Sequence, residues 1–197
     1  MTQQKDMTQQ KSGTAGGVLG VATVATGLIA GTFYIFVFAV MPALARSDDR
    51  VFVQVMRDID DVIQNPVFLL TFNGAPLLTA IATWQSRGTP YLRWTGAAFI
   101  SYALGFLVTV AFNIPLNNDL HATGDPTALR EAYEDPWVAW NAVRALLSTV
   151  ALGCLARALV LHGGSQRGSD AGAGPDDLNT LPGNPLTGPD NPSPSGV

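Results

Sequence analysis

Charged side chains along this chain fall in clusters, and the gaps between the clusters are long. Ser12 to Ala45, Val62 to Ser86 and Trp94 to Asn118 contain no Asp, Glu, Lys or Arg, and Pro136 to Ala156 contains only Arg144. A helix that crosses the hydrocarbon of a bilayer needs roughly 20 apolar residues. Each run is long enough, and a helix at the surface of a soluble core would carry charge on its outer face. The pattern predicts an all-α fold, a four-helix transmembrane bundle, with spans at about 17–41, 66–84, 92–113 and 137–161.

The segment between the first two spans has a different rhythm. From Arg46 to Gln64, charges alternate with Val51, Phe52, Val55, Met56, Ile59, Val62 and Ile63 at helical spacing. This predicts an amphipathic helix over 48–64, lying on the membrane surface or capping the bundle. Asn65-Pro66 then reads as the N-cap and first turn of the second span. Pro42 is expected to end the first span and Pro136 to open the fourth, because proline lacks the N–H that a helix interior needs. Between the third and fourth spans an acidic loop, Pro115 to Asp135, is expected to hold a short helix around Thr127 to Tyr133. Two small-xxx-small ridges, Thr23-Gly27-Gly31 and Ser101-Gly105-Thr109, predict close helix contacts.

The ends are compositionally distinct. Met1 to Lys5 recurs at Met7 to Lys11, and 1–15 is expected to be a disordered leader. The segment 163–197 holds 8 Gly and 6 Pro and is expected to be a disordered tail. That leaves a membrane domain over 16–162.

Composition narrows the function classes. Charged residues make up 13% of the chain, about half the usual share in soluble domains. There is no basic stripe or zinc-finger spacing, which argues against nucleic-acid binding. Cys154 is the single cysteine, so no intrachain disulfide forms. His121 and His162 are the only imidazoles, and no Glu-x-x-His or His-x-x-x-His spacing occurs, so neither a metal site nor a cofactor is expected. The lipid bilayer is the expected partner. Lys5, Lys11, Arg87, Arg93, Arg157 and Arg167 fall on one side of the four spans, and Arg46, Arg50, Arg57 and Arg130 on the other. That asymmetry favours both termini on the cytoplasmic side, and the plasma membrane is the expected location.

Polar residues inside the spans mark the candidate chemistry. On a helix advancing about 100° per residue, Trp137, Trp140, Asn141, Arg144 and Ser148 lie on one stripe. A buried arginine is costly unless paired, so Arg144 either snorkels to the interface beside the two tryptophans or faces the other helices. Asn113 and Asn117 close the third span on the side where the fourth begins, and Asn65 starts the second span there. These amides either cap helix ends or line a pocket closed by Arg144, Trp137 and Trp140. Asn73, inside the second span, is expected to face the bundle.

The segments GLIAGTFYIFVFAVMPAL (Gly27 to Leu44), NPVFLL (Asn65 to Leu70), VAFNIPLNNDL (Val110 to Leu120) and WVAWNAVRALLS (Trp137 to Ser148) resemble the anthrone oxygenase family of small four-span membrane proteins. The resemblance covers Gly16 to Leu161. It implies an oxidoreductase acting on a lipophilic, anthrone-like substrate, since fungal members look like oxidases that turn anthrones into anthraquinones with dioxygen. A cofactor-independent oxidation of this kind implies Arg144, Asn141, Asn113 and Asn117 as polar groups of the site, with Asp119 or His121 as base. Trp137, Trp140 and Tyr34 would form the walls, with Asn65 and Asn73 also in substrate-binding positions. Where relatives often carry histidine after Trp-Asn, this chain has Ala142. The alternative is a non-catalytic membrane protein that binds small molecules or accompanies another complex.

Overall fold

The computed structural model describes the backbone of residues 2–171 and the side chains of residues 13–168. The chain divides into two compact units, Met1–Leu161 and His162–Val197. The second, as far as it is described, is helical to Ala171. The packing and the site described below belong to the first.

The described residues are helical with no strands. Helix α1 (Thr2–Ile35) passes through a π-helical turn, Phe36–Val40, into the short α2 (Met41–Leu44). Helix α3 (Asp49–Ile63) follows, then α4 (Pro66–Gln85) and α5 (Leu92–Val108). A second π turn, Thr109–Asn113, leads into α6 (Ile114–Leu120), and α7 (Pro126–Ala171) closes the order. Four helical stretches are long and apolar enough to cross a membrane: Gly13–Leu44, Pro66–Gln85, Leu92–Leu120 and Pro126–Gly168. They contain the four expected spans, and α3 is the expected amphipathic helix.

Four boundaries differ from expectation, each at a proline or an end. Pro42 does not stop the first span, and the third continues past Asn113 and Pro115 to Leu120. In both cases a π turn precedes the proline by two residues, and the next N–H closes a wide ring instead, Met41 to the Phe36 carbonyl and Ile114 to the Thr109 carbonyl. The wider turn re-satisfies groups that proline would strand. Pro136 lies inside α7, which begins ten residues earlier at Pro126 and absorbs the expected short helix. Four residues before it Ala132 is exposed, so the carbonyl that proline leaves without a donor can meet water. At the N-terminus the backbone is already helical at Thr2, within the expected leader. Residues 172–197 of the expected tail lie outside the described residues.

Packing follows membrane logic. In the larger buried cluster eight of fourteen residues are alanine, with Leu19, Ile29, Phe33, Tyr91, Tyr102 and Leu155. Lipid tails are as apolar as leucine, so close backbone approach replaces hydrophobic exclusion as the cohesive force. A Cβ on Gly27 would meet Leu152 at 3.5 Å, and one on Gly105 would meet Leu147 at 3.6 Å, which places both glycines against α7. Val24, Leu28, Phe38, Leu70 and Leu77 are exposed around the outside, as lipid-facing side chains are.

A second cluster holds the end of the bundle nearest α3: Met41, Phe52, Val53, Met56, Leu120, Tyr133 and Trp137. Asp48 caps α3 by accepting from the Val51 N–H at 3.0 Å. Two arginines fasten the helix to its neighbours. Arg57 donates to the Leu120 and Ala122 carbonyls, both at 2.8 Å, satisfying groups left open where α6 ends. Arg130 of α7 bonds Asp49 and the Ser47 and Ala45 carbonyls while lying 4.6 Å over the Phe52 ring. The Thr127 hydroxyl, with Arg130 beside it, holds the Asp49 carboxyl below its ordinary range.

Candidate functional site

Between these two clusters lies a cavity of about 260 Å³. Its walls come from five helices and both π turns, with Phe33 and Phe36, Phe68 and Phe72, and Tyr133 and Trp137 supplying aromatic surface. Phe36 packs 5.6 Å from Trp137, and Trp137 lies 6.0 Å from Tyr133. A flat apolar ligand would meet ring faces on several sides.

One pole of the cavity is cationic. Arg144 is 6% exposed, and its Nη2 donates to Asn141 Oδ1 at 2.8 Å. Asn141 is fully buried and is itself held by donating Nδ2 to the Phe33 carbonyl at 3.2 Å. The guanidinium lies 4.3 Å over the Phe33 ring and 5.5 Å from the Trp137 ring. Its Nε has no hydrogen-bond partner, and no carboxylate among the described residues comes within ion-pair distance of it. Ring faces and one amide oxygen are modest compensation for a buried guanidinium, which offers five donors. The side chain is buried and lines the cavity, the inward of the two expected placements.

The other pole is anionic and comes from α3. Asp60 lines the cavity and accepts from Asn117 Nδ2 at 2.6 Å. Its second oxygen is 3.3 Å from His121 Nε2 and 3.3 Å from Gln64 Nε2. Asn117 in turn accepts from Trp137 Nε1 at 2.9 Å and from the Tyr133 hydroxyl at 3.1 Å. One amide thus ties the carboxylate of α3 to the aromatic wall of α7.

A family model described as Anthrone oxygenase matches residues 62–154. Over that segment, somewhat under half of its length, the chain is similar to the anthrone oxygenase family. No curated protein and no solved structure matches the chain. The matched segment holds Asn117, Tyr133, Trp137, Asn141 and Arg144, while Phe33 and Asp60 lie upstream of it.

The expected site residues divide into three groups. Arg144, Asn141, Asn117 and Trp137 meet in the cavity. Asn113 is 1% exposed and sits on the second π turn, but it does not line the cavity, and neither of its amide atoms has a partner among the described residues. The others stand elsewhere. Trp140 stacks on Phe112 with ring centroids 3.8 Å apart, outside the cavity. Tyr34 is 55% exposed and packs on Phe38. Asn65 is an N-cap, accepting from the Phe68 N–H at 3.0 Å. Asn73 is exposed and bonds its own helix at the Leu69 carbonyl, 2.8 Å away. Asp119 is exposed, and His121 reaches the site only through Asp60.

Asp60 is the residue that reading the sequence missed, and a signal for it existed. Val53, Met56, Asp60 and Ile63 recur at steps of three and four, so this carboxylate lies on the apolar stripe of α3. Among the described residues no group of three His, Cys, Asp or Glu could hold a metal ion.

Proposed function

We propose that this membrane protein is an oxidoreductase that converts a lipophilic, enolisable aromatic ketone of the anthrone type to a quinone with dioxygen, using protein side chains alone. The reading is supported above all by Arg144, a buried guanidinium without a carboxylate partner among the described residues, set in an aromatic cavity built partly from the segment similar to the anthrone oxygenase family. Such a group favours the form of a ligand that carries negative charge on oxygen. Loss of a proton from the anthrone methylene delocalises charge onto the carbonyl oxygen, and donors fixed where that charge develops lower the barrier. The anion passes an electron to dioxygen, carbon and oxygen join, and the methylene becomes a carbonyl. The methylene loses two hydrogens and gains one oxygen atom, while the second oxygen atom leaves as water.

In this scheme Arg144 binds the ketone oxygen, Asn141 holds the guanidinium in place, and Trp137 with Phe33 encloses the rings. On this reading the protein sits in the plasma membrane, and the distribution of its basic residues favours both termini cytoplasmic.

The test is oxidation of an anthrone in air by purified protein in detergent. Arg144→Ala is expected to slow quinone formation by about 10²-fold or more, the usual effect of losing a donor to a developing oxyanion. Equal rates for both proteins, matching the uncatalysed background, would reject catalysis at this site. A rise in melting temperature with anthrone but without turnover would instead favour a non-catalytic binding protein.

A further inference from the structure

We infer that Asp60 of α3 is the general base of this site, and that it takes both methylene protons in turn and returns them to oxygen. This rests on the oxidase reading above and adds a residue and a substrate geometry to it.

The cavity has opposite charges joined by a continuous set of contacts. Arg144 lies against Trp137, Trp137 donates to Asn117, and Asn117 donates to Asp60. All four line the same space, with the aromatic wall between the two charges. A ligand that satisfies both poles needs an acceptor oxygen at one end and an acidic hydrogen at the other, with flat apolar surface between. In an anthrone the ketone oxygen and the acidic methylene face each other across the middle ring. The match selects carbon acids whose ketone and acidic C–H lie across one ring, and it disfavours isomers with both on the same edge.

Asp60 also meets the positional requirements of a base. It is a cavity-lining carboxylate, and its side chain is 16% exposed. Asn117, His121 and Gln64 bond its two oxygens, which fixes the carboxylate while leaving lone pairs free to accept a proton. Asn117 is a positioning residue, anchored by Tyr133 and Trp137.

The proton balance closes on this residue. Asp60 takes the first methylene proton, breaking C–H and leaving the electron pair in the ring system. After carbon joins dioxygen, the peroxide oxygen recovers that proton. Asp60 then takes the second proton as the O–O bond breaks, the carbonyl forms and hydroxide leaves. Hydroxide accepts the proton from Asp60, giving water and the free carboxylate.

The first step can be observed without oxygen. Under nitrogen in deuterated buffer, full-length protein in detergent is expected to speed deuterium uptake at the methylene of anthrone, followed by proton NMR. Asp60→Asn is expected to lose that acceleration by about 10²-fold or more, in the range for general bases. Binding of anthraquinone, read by quenching of tryptophan fluorescence, stays within about threefold, and Asp60→Glu recovers part of the exchange rate. Exchange by Asp60→Asn at the wild-type rate overturns the base assignment. Loss of quinone binding together with exchange in both variants also overturns it, since the side chain then holds the cavity open instead of moving a proton. Full oxidation in air by Asp60→Asn removes the base and leaves the oxidase reading standing. A wild-type protein that exchanges the methylene but forms no quinone in air removes the oxidase reading and leaves the base.

Discussion

Arg144 and Asn113 are both buried polar residues, yet their surroundings assign them different values. The Arg144 Nη2 bonds Asn141, and Asn141 bonds the Phe33 carbonyl, so this pair ties α7 to α1. Asn113 has no partner for either amide atom among the described residues. An unsatisfied buried polar group costs about 1–3 kcal/mol, and an apolar group of similar shape removes that cost. Asn113→Leu is therefore expected to raise stability by about 1 kcal/mol, and Asn141→Leu to lower it by about 2–3 kcal/mol, since Arg144 then loses its acceptor. Thermal unfolding in detergent, followed by circular dichroism, measures both; a destabilised Asn113→Leu would mean the amide has a role in the folded protein. The same arithmetic explains what was legible. The stripe Trp137-Asn141-Arg144 follows from helical periodicity alone. Asn73 was expected inside, but its amide is satisfied by the Leu69 carbonyl of its own helix, so nothing compels it to face the bundle. Tyr34 likewise pairs with Phe38 one turn on. Asp60 was hidden because charge on an amphipathic helix is ordinarily its wet face.

At the level of elements, the second π turn sets the register of the site. A π turn holds one residue more than an α turn, so removing it rotates everything beyond by about 100°. Asn117 follows that turn by four residues and would swing away from Asp60. Pro115→Ala restores an N–H at position 115 and permits an ordinary α ladder. The expected result is unchanged helix content with anthraquinone binding about tenfold weaker, or ~1.4 kcal/mol; undiminished binding would show that the register survives without the proline. The spans themselves were plain in the sequence because a charge-free run of that length has one common use. Their ends were not, because a proline ordinarily terminates a helix. In this fold π turns carry two of the three helices through, and the wet side of the bundle tolerates the third.

Taken whole, the molecule presents its cavity to two media. Gln64 and Asn118 at the rim are exposed polar residues, whereas Leu69 and Ile114, 42% and 45% exposed, are apolar rim residues on α4 and α6. The lipophilic substrate proposed above, if dissolved in the bilayer, would meet the apolar side of this rim. Leu69→Trp narrows that side, and the expected effect is KM raised about tenfold, or ~1.4 kcal/mol, with kcat held, for anthrone delivered in lipid vesicles. Steady-state rates in vesicles check this, and an unchanged KM would place the entrance elsewhere. The bundle was legible as a whole from its charge-free runs, but the cavity was not, since it depends on how α3 folds back over the ends of the spans. The unpaired guanidinium has a last consequence outside the test tube. Any molecule whose oxygen occupies that place stabilises the folded form in proportion to its concentration, and quality control in a cell degrades most readily the copies that lack it. If the proposed ligand binds there, the abundance of this protein would follow the supply of that ligand.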